Sequence, residues 1–189
     1  MSSRIRHLNV ELTRRCNQRC FYCFNNSGGV SRTGELQLEA WLAILGDLRS
    51  KGLQSVHFTG GEPFLYERIT ELLEAAQLMG LSTSILSNGF RIAEVASRFQ
   101  SIISLLAVAQ ISLDSMNPAV HNQRRGYFDA WVHSMSAIRA LCEISVPVEV
   151  SCVVDDDNIR ELPAIARFCD QLQCGLILRP LVAQGRASE

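Results

Sequence analysis

Three cysteines, Cys16, Cys20 and Cys23, lie close together near the start of the chain with the spacing C-x3-C-x2-C. Cysteine thiolates are common ligands of zinc and the usual ligands of iron–sulfur clusters. No fourth cysteine lies nearby, so the set is one ligand short for a tetrahedral zinc site or for all irons of a four-iron cubane. In a cluster, this deficit would leave one iron open to bind another molecule.

The composition is that of an ordinary globular protein. The chain has 189 residues, of which 47% are hydrophobic and 20% charged, with a net charge of -1. This length predicts a single domain over residues 1–189, and the charge predicts no nucleic-acid partner. No apolar run approaches the roughly 18 residues of a membrane span, and no signal-peptide core is visible. We therefore predict no membrane partner and a cytoplasmic location, where cysteines serve as metal ligands or buried thiols before disulfides.

The hydrophobic pattern alternates between short apolar runs and segments with helical periodicity. Strands are predicted over residues 8–12, 56–59, 82–86, 109–113, 146–154 and 176–178. Helices are predicted over residues 39–50, 66–79, 92–99, 128–143 and 159–171, the last opened by a capping box of Asn158 and Glu161. Glycines at positions 52, 80 and 175 are predicted to end helices.

Strictly alternating strands and helices predict an α/β fold with a parallel sheet. A complete eight-fold barrel uses roughly 31 residues per unit, so this length holds about six units. The predicted architecture is an open (β/α)6 partial TIM barrel. In such sheets, chemistry collects at the carboxyl ends of the strands. The cysteines follow the first strand, and Gly60-Gly61-Glu62-Pro63 follows the second. Further polar turns follow the other strands. These groups should therefore converge on one rim of the predicted barrel.

The cysteine spacing, an aromatic residue before the last cysteine and the Gly-Gly-Glu-Pro turn resemble the radical S-adenosylmethionine (SAM) superfamily, over about residues 5–186. The resemblance implies that Cys16, Cys20 and Cys23 hold three irons of a [4Fe-4S] cluster, with SAM chelating the fourth. It also implies that reductive cleavage of SAM gives a 5′-deoxyadenosyl radical, which abstracts hydrogen from a substrate.

The same resemblance suggests residues that bind SAM. Gly60 and Gly61 allow a sharp turn and a close backbone approach, Glu62 is expected to pair with the SAM ammonium, and the backbone of Tyr22 to contact the adenine. The alternative for the Gly-Gly-Glu-Pro turn is purely structural, with Pro63 in the first turn of a helix.

Four further polar residues are candidates for SAM. Ser87 and Asn88 can donate to its carboxylate or ribose, although Asn88 could equally form an Asn-Gly turn. Ser112 is assigned to the ribose or carboxylate. Arg125 is assigned to the carboxylate, which a planar guanidinium can bond twice, with Arg124 as the alternative.

The remaining polar groups carry weaker expectations. Asp114 is predicted to contact substrate or to cap a loop, and the aspartates 155–157 to face solvent or substrate. The other cysteines are interpreted as buried thiols, without excluding a second metal site; they are Cys142, Cys152, Cys169 and Cys174. The four histidines show no ligand spacing and are interpreted as structural or exposed.

Residues 178–187 resemble the end of the core in peptide- and protein-modifying (SPASM/twitch-type) members. The cysteine-rich auxiliary cluster domain of those members is expected to be absent, because no such cysteines follow in the sequence. The favoured function is a radical SAM enzyme acting on a peptide or protein side chain, or on a small molecule. The alternatives are a non-catalytic or partner-dependent cluster- and SAM-binding subunit, and a zinc protein.

Expected partners are a flavodoxin or ferredoxin electron donor and a protein covering the open barrel side. Five arginines in the first 19 residues could dock an acidic donor or form a solvated rim.

Overall fold

The computed structural model describes residues 5–29 and 31–188, and its framework is one parallel sheet of six strands. The strands are β1 (His7–Thr13), β2 (Ser55–Gly60), β3 (Ser82–Ser87), β4 (Val108–Ser112), β5 (Val148–Val154) and β6 (Gly175–Pro180). Each strand pairs with the next strand of the chain, and in the described residues β1 and β6 do not pair with each other. The predicted open (β/α)6 partial TIM barrel is confirmed.

The helices run between successive strands. They are α1 (Leu38–Ser50), α2 (Ile69–Leu78), α3 (Ile92–Arg98), α4 (Gln100–Ile103), α5 (Pro118–Arg125), α6 (Ala130–Glu143) and α7 (Leu162–Leu172). Short 3₁₀ turns lie at Pro63–Leu65, Ile159–Glu161 and Gly185–Ser188. The sequence prediction missed α4 and α5. No helix in the described ranges has the length and apolar character required to cross a membrane.

Two predicted helix ends are wrong. The side chain of Asn158 makes no capping hydrogen bond. Its Nδ2 instead donates to the backbone oxygens of Asp114 and Val153, both at 2.9 Å, and so connects the ends of β4 and β5. Helix α7 ends at Gln173, which has a positive φ of 56°, while Gly175 already belongs to β6.

The two faces of the sheet differ in character because side chains alternate along each strand. One face packs against the helices through fully buried residues such as Phe58, Ile85, Ile111 and Val150. The opposite face points into the barrel and carries polar side chains. The sheet therefore stabilises the fold from one side and presents a polar cavity on the other.

Candidate SAM and cluster site

The segment of residues 14–29 after β1, here called the cysteine loop, carries the three predicted cluster ligands. It is closed at its base by the N–H of Gly28, which donates to the backbone oxygen of Arg14 at 3.1 Å, and by a bridge between Cys16 and Gly29. Within it, the N–H of Cys23 donates to the oxygen of Cys20 at 3.2 Å. Backbone bonds therefore hold the ligands in one compact loop at the carboxyl end of β1.

Every sulfur atom of the three cysteines has an N–H donor near it. The donor–sulfur distances are 3.4 Å from the Gln18 N–H to Cys16, 3.3 Å from the Ser27 N–H to Cys23, and 4.0 Å from Arg125 Nη1 to Cys20. Asn88 Nδ2 adds a second donor to Cys16 at 3.7 Å. Such donors stabilise thiolates and are a principal means by which a protein tunes a bound iron–sulfur cluster.

The donor set fits a cluster better than a single ion. Among residues 5–29 and 31–188, no three His, Cys, Asp or Glu side chains are grouped closely enough to hold one metal ion. A cubane binds each cysteine through a different iron, so its ligands stand farther apart. Three buried polar atoms of the cysteine loop also have no hydrogen-bond partner: Asn17 Nδ2, Gln18 Nε2 and Ser27 Oγ. These atoms are available to donate hydrogen bonds to a bound inorganic group.

Where no inorganic group is bound, burial removes the thiols of Cys16 and Cys20 from water. Burial raises the pKa of Cys16 to about 12, even though the Gln18 N–H favours the thiolate. Burial also raises the pKa of Cys20, against the attraction of Arg125. Metal ligands must be deprotonated, so these two thiols are expected to release their protons when metal binds to their sulfur atoms.

Gly60 and Gly61 are required because β2 ends in contact with the cysteine loop. A Cβ atom would lie 2.5 Å from the Thr13 oxygen at Gly60, and 2.1 Å from the Arg15 oxygen at Gly61. The N–H groups of Gly61 and Glu62 donate to these same two oxygens at 2.7 and 2.8 Å. The Gly-Gly pair thus approaches the backbone of Thr13 at the end of β1 and of Arg15 in the cysteine loop, while its close approach to a ligand stays a prediction.

Glu62 is fully buried, and its carboxylate lies behind the cavity lining. It accepts from the backbone N–H groups of Phe64 at 3.1 Å and Asn88 at 2.8 Å, and from the Ser87 hydroxyl at 2.8 Å. As the N-cap of the turn at Pro63–Leu65, it also has the structural role weighed as the alternative. Pairing of Glu62 with the SAM ammonium stays a prediction.

Replacing Glu62 with glutamine should flatten the pH dependence of stability. Burial raises the pKa of Glu62 to about 7, against the effect of its three donors. The folded state therefore keeps a proton that the unfolded chain releases near pH 4.5, so the stabilising contribution is complete below that pH and is lost as pH rises through about 7. At pH 5 the free energy of unfolding should be larger for the wild type than for Glu62→Gln. This difference should shrink by a few kcal/mol, about 3 at most, between pH 5 and pH 8.

Urea unfolding of the metal-free protein across this pH range measures that gap. The matched control is Glu74→Gln, because Glu74 is exposed on α2 and should give a small, pH-independent difference. A constant gap for Glu62→Gln would contradict the raised pKa.

Arg125 and Arg124 have different surroundings. Arg125 is buried, lines the cavity, and contacts Asp114 through Nε at 2.9 Å and Nη2 at 3.2 Å. The Tyr22 hydroxyl donates to the same carboxylate, and the tyrosine ring lies 5.4 Å from the Arg125 guanidinium carbon. Arg124 turns away and forms two hydrogen bonds, at 2.9 and 3.0 Å, to Asp155. Of the pair, Arg125 is the one placed to meet a ligand; its bond to the SAM carboxylate stays a prediction.

The other predicted SAM residues lie around one cavity of about 1030 Å³. Tyr22, Gly60, Gly61, Ser87, Asn88 and Ser112 all line it, together with Cys16 and Cys23. The Asn88 side-chain oxygen also accepts from the Phe90 N–H at 2.9 Å, so the turn weighed as its alternative role is present as well. Asp114 lies behind the lining and bonds the Val153 N–H at 3.0 Å, which is a loop-organising role. Asp156 and Asp157 are exposed.

The sequence analysis missed the polar residues on the barrel wall. Arg179 reaches from β6 to Ser151 at 3.1 Å and to Gln110 at 2.9 Å, and His57 pairs with Ser84 at 2.8 Å. Burial lowers the pKa of His57. The signal was available in part, because polar residues occupy alternate positions in β2 (Ser55, His57 and Thr59) and at the end of β4 (Gln110 and Ser112). This phase must face inward when the apolar phase packs on helices, whereas β6 has only Arg179 in it.

The N-terminal arginines do not form one surface. Arg15 is paired with Glu35 at 2.7 Å, while Arg6 precedes β1 at the opposite end of the barrel. Arg14 and Arg19 are exposed on the cysteine loop. Arg4 lies outside the described residues.

Comparison with known proteins agrees with this geometry. The model of the Radical SAM superfamily matches residues 10–169. The chain is 29% identical over 160 residues to the sporulation killing factor maturation protein SkfB of Bacillus subtilis, and 29% identical over 165 residues to the PqqA peptide cyclase of Bradyrhizobium diazoefficiens. These alignments cover 85% and 84% of the chain but 38% and 42% of the relatives, so the chain spans about two fifths of their length.

Solved structures give the same fold. SuiB of Streptococcus suis bound to S-adenosylmethionine superimposes with a TM-score of 0.78 at 19% identity, covering 95% of this chain and 41% of SuiB. SuiB bound to its precursor peptide SuiA gives a TM-score of 0.80 at 18% identity, covering 95% of this chain and 40% of SuiB.

Proposed function

The chain belongs to the radical SAM superfamily, and we propose that it is an enzyme that cleaves SAM reductively and removes hydrogen from a peptide or protein side chain. The observation that carries the proposal is the convergence on one cavity of a three-cysteine loop, with an N–H donor at each sulfur, and the Gly60-Gly61 turn packed against that loop.

The superfamily uses a [4Fe-4S] cluster and SAM, and the residues present fit both. In the proposal, Cys16, Cys20 and Cys23 hold three irons, and the cavity beside them receives SAM. When bound, this pair supplies reductive cleavage of SAM to methionine and a 5′-deoxyadenosyl radical that takes a hydrogen atom from substrate. Arg125 and Ser112 would orient the SAM carboxylate and ribose, and the barrel wall would limit the access of water.

A peptide substrate is supported by the relatives, whose names include a maturation protein and a peptide cyclase, and by SuiB, which was crystallised with a precursor peptide. The cavity extends along β6, and Leu178 and Val182 beside it are each about half exposed. An edge strand with half-exposed apolar side chains suits an extended peptide better than a small polar metabolite.

We also propose an acidic electron donor such as flavodoxin or ferredoxin, and a cytoplasmic location. Arg14, Arg19 and the half-exposed ring of Phe21 are accessible to solvent on the cysteine loop that carries Cys20. This combination of positive charge and apolar area suits a transient, negatively charged partner. All seven cysteines are free thiols, which fits a reducing compartment.

The test is anaerobic reconstitution with iron and sulfide, reduction, and addition of SAM. We expect about four irons per chain and release of 5′-deoxyadenosine. A loaded cluster that binds SAM without releasing this product would favour the alternative of a partner-dependent binding subunit. A protein that takes up zinc but no cluster would overturn the proposal.

A further inference from the structure

Residues 181–188, here called the clasp, run from the end of β6 back to the cysteine loop. The clasp begins where the Leu181 N–H donates to the Val154 oxygen at 2.9 Å, and it ends in the 3₁₀ turn Gly185–Ser188. It therefore connects the last strand of the barrel with the loop that follows the first, across the side where β1 and β6 do not pair.

Arg186 makes four hydrogen bonds, all to the cysteine loop. Its Nε donates to the Cys20 oxygen at 2.8 Å, and its Nη1 to the Ser27 oxygen at 2.7 Å and to Asn26 Oδ1 at 3.0 Å. Its backbone N–H donates to the Cys23 oxygen at 3.1 Å. The guanidinium thus ties the two limbs of the loop together through three acceptors, one of which is the carbonyl of the predicted ligand Cys20, while the backbone N–H holds the carbonyl of Cys23.

Gly185 makes this contact possible. Its φ is +63°, and a Cβ atom there would lie 2.2 Å from the Cys23 oxygen and 2.4 Å from the Phe24 oxygen. Both neighbours are backbone atoms and cannot move without moving the ligand loop. The clasp backbone therefore packs directly on the loop, and a larger residue would push the two apart.

We propose that Gly185 and Arg186 are positioning residues for the iron–sulfur cluster, an inference that rests on the proposed function. The cysteine loop is mostly irregular, so ordering it costs conformational entropy. The Arg186 side chain offsets that cost by fixing the carbonyls of Cys20 and Ser27, so that the thiols already point correctly in the metal-free protein. Gly185 and Arg186 do not line the cavity, so they act through the cysteines.

The experiment compares wild type with Arg186→Ala and with the control Arg160→Ala, which removes an exposed arginine outside the clasp and the cysteine loop. Reconstituted proteins are challenged anaerobically with excess EDTA, and loss of the cluster chromophore is followed together with iron and sulfide content. Hydrogen bonds from a charged group are stronger than those between neutral groups, so Arg186→Ala should lose cluster at least about tenfold faster. Arg160→Ala should match wild type.

Two further measurements keep the inference falsifiable. Arg186→Lys retains the charge but not the fork that bridges Cys20 and Ser27, so it should resemble Arg186→Ala. Hydrogen exchange of the metal-free proteins should be faster in residues 19–28 of both variants, with unchanged exchange in the core strands. If Arg186→Ala retained its cluster and exchanged its amide hydrogens as the wild type does, the inference about the clasp alone would be overturned. If the wild type took up no cluster, the proposed function would be overturned instead.

Discussion

Replacing Cys20 with alanine is expected to abolish 5′-deoxyadenosine formation. The variant leaves two thiolates to hold a cluster that already has one iron without a protein ligand. Cys20 is also the most enclosed of the three cysteines, at 9% exposure, so water or a buffer thiol would not easily replace its sulfur. The cation nearest to it, Arg125, would then face a site without the thiolate that it stabilises. Iron content, the reduced-cluster EPR signal and product formation should fall together.

The matched control is Cys142→Ala. Cys142 is half-buried in α6, and its sulfur lies 3.6 Å from that of Cys174, away from the cysteine loop. Removing it should leave iron content and product formation near wild type. Product formation at the wild-type rate by Cys20→Ala would contradict its assignment as a ligand.

The strands could be predicted from sequence because their signal is local. Alternation of buried and inward-facing residues marks β2 and β4, and the length of the chain gave the number of units. The three predicted cluster ligands were equally visible, since they lie within eight residues. Helix α5 was missed for a physical reason: its buried residues are His121, Arg124 and Arg125. A search for apolar periodicity does not find a helix whose inward side is polar, although Asn117, Pro118 and Gly126 mark its ends.

The contacts that complete the site could not be predicted, because they join distant parts of the chain. Arg186 lies 166 residues from Cys20, and Glu62 meets Ser87 and Asn88 across 25 and 26 residues. Sequence correctly places these groups on one rim, yet it does not tell which of them face the cavity and which support its lining. Glu62 and Asp114, for example, both lie behind the cavity lining, where their carboxylates accept hydrogen bonds from neighbouring donors.

Replacing Asp114 with alanine is expected to produce the largest loss of stability. Asp114 has no exposed surface, and its carboxylate accepts from Arg125, from the Tyr22 hydroxyl and from the Val153 N–H. Without it, the buried guanidinium of Arg125 has no carboxylate partner. Breaking a buried ion pair in this way costs about 3–5 kcal/mol. Urea unfolding of the metal-free protein under reducing conditions measures the loss.

Two variants separate the charge from the packing. Asp156→Ala removes an exposed aspartate from the same side of the barrel and should change stability by no more than about 0.5 kcal/mol. The double variant Asp114→Ala with Arg125→Met removes both charges, so it should regain part of the stability lost in Asp114→Ala. If Asp114→Ala unfolded at the wild-type urea concentration, Asp114 would not link α5, which it contacts through Arg125, with the cysteine loop, which it contacts through Tyr22. The backbone bond from the Arg19 N–H to the Arg125 oxygen, 3.0 Å long, would then be the stronger link between these elements.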